Sequence, residues 1–257
     1  MSNCPYMNIP VQLIKYSLEN KYNPTIRVYL FLKWETSGHF LLTPELIQTA
    51  LDKLSIKSKK TLIKHIDLLL EWKWITVNSK RNSYRIISYK QLAKKLNFRA
   101  HTGAIFYPVD FTKLYDFMYG ALITYMVKNR QRLKRQSQSK KAGCSMNCQE
   151  SLSDYPNLPC RYLAKSIGVS QSTASTYKQK AAKHNYISTE KMFEPIYDIP
   201  ADSNDYWYHY GERPPNIVIK NGIYQIQLPD KISPNIHLRS KKEIKSVIKS
   251  NGKNPKR

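Results

Sequence analysis

The chain has 257 residues, 41% hydrophobic and 12% aromatic, which is enough for two small domains or one large one with a buried core and too apolar for a disordered tail. Lysine and arginine number 42 against 18 acids, a formal net charge of +24, and such an excess favours a polyanionic partner because neutralised phosphates release counterions. No run of about 18 apolar residues occurs, which argues against a membrane-spanning helix, and residues 1–10 lack the basic-then-apolar order of a secretory signal.

The chain therefore reads as intracellular and, in a cell without a nucleus, cytoplasmic. The four cysteines, Cys4, Cys144, Cys148 and Cys160, are too scattered for a disulfide framework.

In chain order, Thr25-Ile-Arg-Val-Tyr-Leu-Phe-Leu-Lys-Trp34 reads as a buried helix ending near Ser37-Gly38, with a strand as the alternative. Thr43 is placed to cap a helix whose first position is Pro44, and Leu46, Ile47, Ala50, Leu51 and Leu54 keep helical spacing. After a short break, Ser58 caps a further helix to about Trp72, with the apolar stripe Leu62, Ile66, Leu69 and Leu70. Residues 74–77 and 84–87 are β-rich runs around a polar turn, a hairpin signature, and a short basic helix is expected over 89–96.

A second segment begins near Gly103. One long helix is expected from about Thr112 to about Arg132. A basic stretch follows, carrying Lys128, Arg130, Arg132, Lys134, Arg135, Lys140 and Lys141 with no acid, and residues 136–158 read as a loop. Two helices meet around Gly168, a strand opens at Tyr186-Ile187, residues 198–215 form a long polar and aromatic loop, and strands over 216–219 and 223–228 flank the turn dipeptide Asn221-Gly222. The tail from Arg239 is strongly basic and reads as a mobile arm, with a short helix from Lys241 to Lys249 as the alternative.

One stretch carries most of the functional inference. Gly168 suits a turn of positive φ and Ser170 is placed to cap the helix after it. Residues 160–180 resemble the helix-turn-helix motif, and the resemblance implies that Ala164 is the small residue packed against the second helix and that Leu163, Ile167, Val169, Ala174 and Tyr177 lock the pair. The first segment, with residues 54–75 as its second turn, recognition helix and entry to a β-hairpin, resembles the winged-helix variant. It departs in having Ser55 for the turn glycine and a turn one residue longer.

The resemblance implies a mainly α, α+β protein with two tandem winged units. These would comprise a first unit over 1–88, a linker helix over 89–102, a second unit over 103–235 with a basic loop insertion over 133–158, and a basic tail over 236–257. It further implies a sequence-specific double-stranded DNA-binding protein of the transcriptional-regulator type. Plasmid and phage replication initiators, which bind repeated origin sites with two such units, are the alternative. In the second unit Gln171, Ser172, Ser175 and Thr176 would face base edges, Ser170 and Thr173 would belong to the same DNA-binding set, and Lys178 and Lys180 would reach phosphates. In the first, Lys57, Lys59, Lys60, Thr61 and Lys64 would do so from the helix, and Lys80 and Arg81 from the hairpin tip. A single chain covering two half-sites and a homodimer are both compatible with this pattern.

Other chemistries have less support. Cys144, Cys148 and Cys160 do not match a zinc-ligand spacing, no phosphate-binding glycine loop precedes a lysine, and the histidines are unpaired in sequence. The expectation is therefore no metal, no cofactor and no catalysis. A protein-docking or RNA-contacting module is the competing class. The aromatic run Asp205-Tyr-Trp-Tyr-His-Tyr210 is assigned to covering its own core in preference to stacking unpaired bases.

Overall fold

The computed structural model describes residues 6–36, 38–78, 82–98, 102–108, 111–142, 157–196, 217–220 and 222–240. The fold is α+β, and among the described residues helices are set with three small antiparallel sheets. It begins with a strand and helix outside the segments singled out from sequence: β1 (Met7–Pro10) and α1 (Val11–Glu19). Val11, Leu13, Ile14 and Leu18 of α1 are buried. Helix α2 (Asn23–Glu35) is buried almost all round through Ile26, Val28, Tyr29, Leu30, Phe31 and Leu32, as a central core helix must be. This settles residues 25–34 as helix.

Strand β2 (His39–Phe40), helices α3 (Pro44–Lys53) and α4 (Lys59–Glu71), and strands β3 (Ile75–Asn78) and β4 (Ser83–Ile86) follow. Their sheet runs β2-β4-β3, and Phe40 lies opposite Tyr84 with rings stacked 5.1 Å apart. Helix α5 (Tyr89–Lys95) starts with a reciprocal capping box between Ser88 and Gln91. It is no free linker. Leu92 and Ala93 are buried, Tyr89 meets Tyr29 edge-on at 6.3 Å, and Lys95 donates to the Trp72 carbonyl.

The second half comprises β5 (Thr102–Phe106), a 3-10 turn (Phe111–Lys113), α6 (Leu114–Ala142), α7 (Cys160–Ile167), α8 (Gln171–Lys183), β6 (Ile187–Pro195), β7 (Ile217–Lys220), β8 (Ile223–Pro234) and β9 (Leu238–Ser240). Helix α6 is longer than expected. Residues 133–142, assigned from sequence to a loop insertion, continue the helix. Lys, Arg and Gln are good helix formers, and neither glycine nor proline interrupts them before Gly143. Strand β8 also outruns its expected end, pairing with β6 from Gln225 to Pro234 across a register shift between Glu190 and Met192.

The boundaries drawn from sequence do not divide the core. Sheet β1-β5-β9 joins the two chain ends through the middle, with Ile9 opposite Ala104 and Ala104 opposite Leu238. Residues 238–240 of the tail therefore form a strand and not an arm, and Ile236 is buried. Phe31 of α2 meets Phe111 at 5.6 Å, and the Arg27 guanidinium sits 5.0 Å from the Tyr115 ring. One hydrophobic cluster runs through both halves, and a smaller one forms around Ile217 and Tyr224.

Candidate nucleic-acid interface

Two helix pairs carry most of the basic and polar residues predicted from sequence. In the first, the Thr43 hydroxyl accepts from the Leu46 amide and starts α3. The chain then turns through Ser55 at φ 47°, a left-handed conformation unusual for a residue with a side chain. The Ile56 amide donates back to the Leu51 carbonyl at 2.9 Å, and Arg27 donates to the Leu54 carbonyl. The end of α3 is thereby closed by its own turn and by a cation from α2.

Ser58 caps α4, accepting from the Thr61 amide at 3.2 Å. Leu62, Ile66 and Leu69 are buried, Leu70 is half-buried, and His65 Nδ1 lies 3.0 Å from the Thr25 hydroxyl of α2. Burial pushes the His65 imidazole below its ordinary pKa, and the neighbouring Lys64 and Arg27 charges push the same way. The opposite face is open. Lys57, Lys59, Lys60, Thr61 and Lys64 are all exposed. Thr61 has its hydroxyl 2.9 Å from that of Ser58, so part of its capacity serves the cap.

The first turn of α4 contains no acid. Lys59 and Lys60 add positive charge to the positive end of the helix dipole, where carboxylates are normally favoured. The arrangement costs the free protein stability and concentrates positive potential where an anion would dock.

In the second pair, Gly168 ends α7 at φ 72° and the Val169 amide donates to the Ala164 carbonyl at 3.1 Å. From the left-handed residue to the next cap is one step longer in the first turn (55 to 58) than in the second (168 to 170). Ser170 accepts from the Thr173 amide at 3.1 Å, and its hydroxyl also touches those of Ser172 and Thr173 at 2.8 Å. These three hydroxyls form a local cap cluster, and Thr176 donates to the Ser172 carbonyl. Gln171, Ser172, Thr176 and Lys180 are exposed, while Thr173 and Ser175 are half-buried.

Helix α8 is held from behind. Ala174 and Ala181 are buried, and Tyr177 stacks on Tyr119 of α6 at 3.9 Å with planes 7° apart. His184 Nε2 lies 3.1 Å from an Asp116 carboxylate oxygen. Lys178 departs from expectation. It is ion-paired to Asp230 of β8 in a largely buried position, so its ammonium is committed inside the protein and not offered to a phosphate. Its place four residues after the buried Ala174 puts it on the inward side of α8, within reach of Asp230.

The two pairs end alike. Lys73 and Asn185 both take positive φ. The next amides, Trp74 and Tyr186, donate to the carbonyls of Leu69 and Ala181, and a buried isoleucine, Ile75 or Ile187, then opens a strand. Trp74 itself is buried among Tyr16, Tyr29 and Trp72.

Lys80 and Arg81, the aromatic run 205–210 and Cys144 and Cys148 lie outside the described residues. Among the described residues no cluster of ligating side chains could hold a metal, and no helix is long and apolar enough to cross a membrane. Basic residues not singled out from sequence also lie exposed near these elements: Arg85 on β4, and Arg161 and Lys165 on α7. They lie away from the predicted recognition positions, and only their lack of nearby acids marked them. No protein-family model matches the chain, and no curated protein or solved structure matches it.

Proposed function

We propose that the chain is a sequence-specific double-stranded DNA-binding protein with two winged helix-turn-helix units, reading the major groove through α4 and α8. One observation carries the reading. Two helix pairs, each with a left-handed turn residue and a serine-capped second helix, are each followed by the same turn into an antiparallel strand, and each second helix shows polar and basic residues without an acid in its first turn. In the first unit the order α2, β2, α3, α4, β3, β4 and the sheet order β2-β4-β3 suit a helical core with a hairpin wing.

In such units the second helix enters the major groove and the first crosses the backbone. Gln171 is exposed at the start of α8 and can make two hydrogen bonds to adenine. Lys57, Lys59, Lys60, Lys64 and Lys180 supply salt-sensitive affinity. We assign the chain no catalytic role, no cofactor and no metal. A cytoplasmic location, in a cell without a nucleus, follows from the same reading.

Control of transcription is the role we favour. The tandem repeat of the unit equally suits a replication initiator that engages repeated origin sites. Titration of the pure protein against random duplex DNA at several salt concentrations, followed by selection of bound sequences, tests the proposal. Steep salt dependence with an enriched two-part motif is the expected result. Absence of duplex binding at moderate salt overturns the proposal and favours protein docking.

A further inference from the structure

Helix α6 changes character along its length. From Leu114 to Val127 it is core, with Phe117, Met118, Ala121, Leu122, Ile123 and Val127 buried. From Lys128 it is surface: Lys128, Arg132, Leu133 and Lys134 are exposed, and the helix continues to Ala142. At 1.5 Å per residue the segment 128–142 is a projection about 20 Å long.

Its charge is unbalanced. No acid occurs between Asp116 and Glu150. Helical spacing sets Lys128 four residues before Arg132, and Arg130 four before Lys134, so like charges face each other along the rod and weaken it. Among the described residues no carboxylate pairs with Lys128, Arg132 or Lys134. A rod that opposes its own folding in this way is stabilised by a polyanion laid along it. A second copy of the same rod would only add repulsion, and Leu133, a lone exposed apolar side chain there, cannot form a coiled-coil seam.

The root of the rod is fixed beside α7. The Arg130 guanidinium sits 5.3 Å from the centre of the Tyr162 ring in the first turn of that helix, a cation–π contact. Arg161 and Lys165 of α7 are exposed there as well. In a helix-turn-helix unit this first helix is the one that runs over the phosphate backbone.

We infer that the basic stretch of α6 that exposes Lys128 and Arg132 on one side and Lys134 on another is a second, sequence-independent contact with the phosphate backbone of duplex DNA, flanking the groove read by α8. The inference rests on the DNA-binding reading above. The contact adds affinity and salt dependence without adding sequence preference, because phosphates carry no base information.

The test is the full chain with Lys128→Gln, Arg132→Gln and Lys134→Gln together, glutamine keeping helix propensity while removing charge. Each lost phosphate contact flattens the plot of log affinity against log salt by about 0.9. The variant should therefore bind duplex DNA with a slope shallower by about 2 to 3, and should select the same sequences as the wild type. A wild-type slope on duplex DNA overturns the inference while leaving the DNA-binding reading intact. A slope reduced on single-stranded RNA but not on duplex overturns it in favour of RNA. Failure of the unaltered chain to bind duplex at all sinks the DNA-binding reading itself, and is seen without any variant. Trypsin offers a second readout that needs no variant. Saturating duplex should slow cleavage after Lys128, Arg132 and Lys134 several-fold, and unchanged cleavage counts against the contact.

Discussion

Lys178 of α8 and Asp230 of β8 form an ion pair in which only 12% and 13% of the two side chains are exposed. It fastens the middle of the proposed recognition helix to the sheet behind it. Removing one partner strands the other charge where water scarcely reaches, a loss of about 3 kcal/mol. Asp230→Asn should therefore lower the urea midpoint markedly, whereas Lys178→Met with Asp230→Leu should recover most of that loss. The double variant should also keep the wild-type salt dependence of duplex binding, because Lys178 is committed inside the protein. Unchanged stability in Asp230→Asn would show that the pair is not shielded from water.

The two helix turns make opposite predictions at corresponding positions. Gly168 has φ 72°, and a Cβ there would meet nothing within 4 Å, so the cost of Gly168→Ala is backbone strain alone, about 1 to 2 kcal/mol. Ser55 already pays that strain at φ 47°, and Ser55→Gly should gain up to about 1 kcal/mol. Thermal melts of the two variants should move in opposite directions. A shift of Ser55→Gly to lower temperature would contradict the left-handed assignment.

Gly120 lies inside α6, where alanine ordinarily favours a helix by about 1 kcal/mol. Here a Cβ would fall 2.6 Å from the Cβ of Tyr186 and 3.0 Å from Ile236 Cδ1. Overpacking should win, and Gly120→Ala should destabilise by about 1 to 3 kcal/mol. A stabilised variant would mean that α6 and the start of β6 do not approach this closely.

These positions also mark what sequence can and cannot disclose. Caps at Thr43, Ser58 and Ser170, the Gly168 turn and the stripes of α4 and α8 are local, and they were legible because the residues that cause them lie within a few positions of one another. The unusual Ser55 turn was legible as a departure at the right place. The sheet β1-β5-β9 was not, since Ile9, Ala104 and Leu238 meet across most of the chain and each strand is only a few residues long. The commitment of Lys178 was hidden for the same reason: its partner is 52 residues away. The α6 projection was misread because a polar composition was taken as loop where helix propensity prevailed.

The His65–Thr25 contact links α4 to α2, and the burial of the imidazole there makes stability sensitive to pH. In the unfolded chain the imidazole titrates near 6.5. In the folded protein burial, and then the Lys64 and Arg27 charges, hold it lower. The unfolded state therefore binds more protons in the window between the two values, and stability rises with pH there. The contribution is fully present above about pH 6.5 and is lost as pH falls through that window. His65→Gln should flatten this part of a urea-midpoint profile between about pH 7.5 and 5. Profiles of equal steepness would indicate that His65 titrates like a free imidazole.

Lys59 and Lys60 stand at the positive end of α4, with no acid in that turn. For the free protein this is unfavourable by about 0.3 to 1 kcal/mol per charge. Lys59→Ala with Lys60→Ala should accordingly leave stability unchanged or slightly raised, yet weaken binding to every duplex sequence and flatten the salt dependence by about 2. Gln171→Ala should behave differently, with nearly unchanged salt dependence and a relaxed choice of bases, because an uncharged amide reads base edges and releases no counterion. Competition binding with the selected and a scrambled duplex, repeated across salt concentrations, separates the two effects. Equal losses at every salt concentration for the lysine pair would remove α4 from the phosphate contact. A sequence preference that survives in Gln171→Ala would move base reading to another part of the chain.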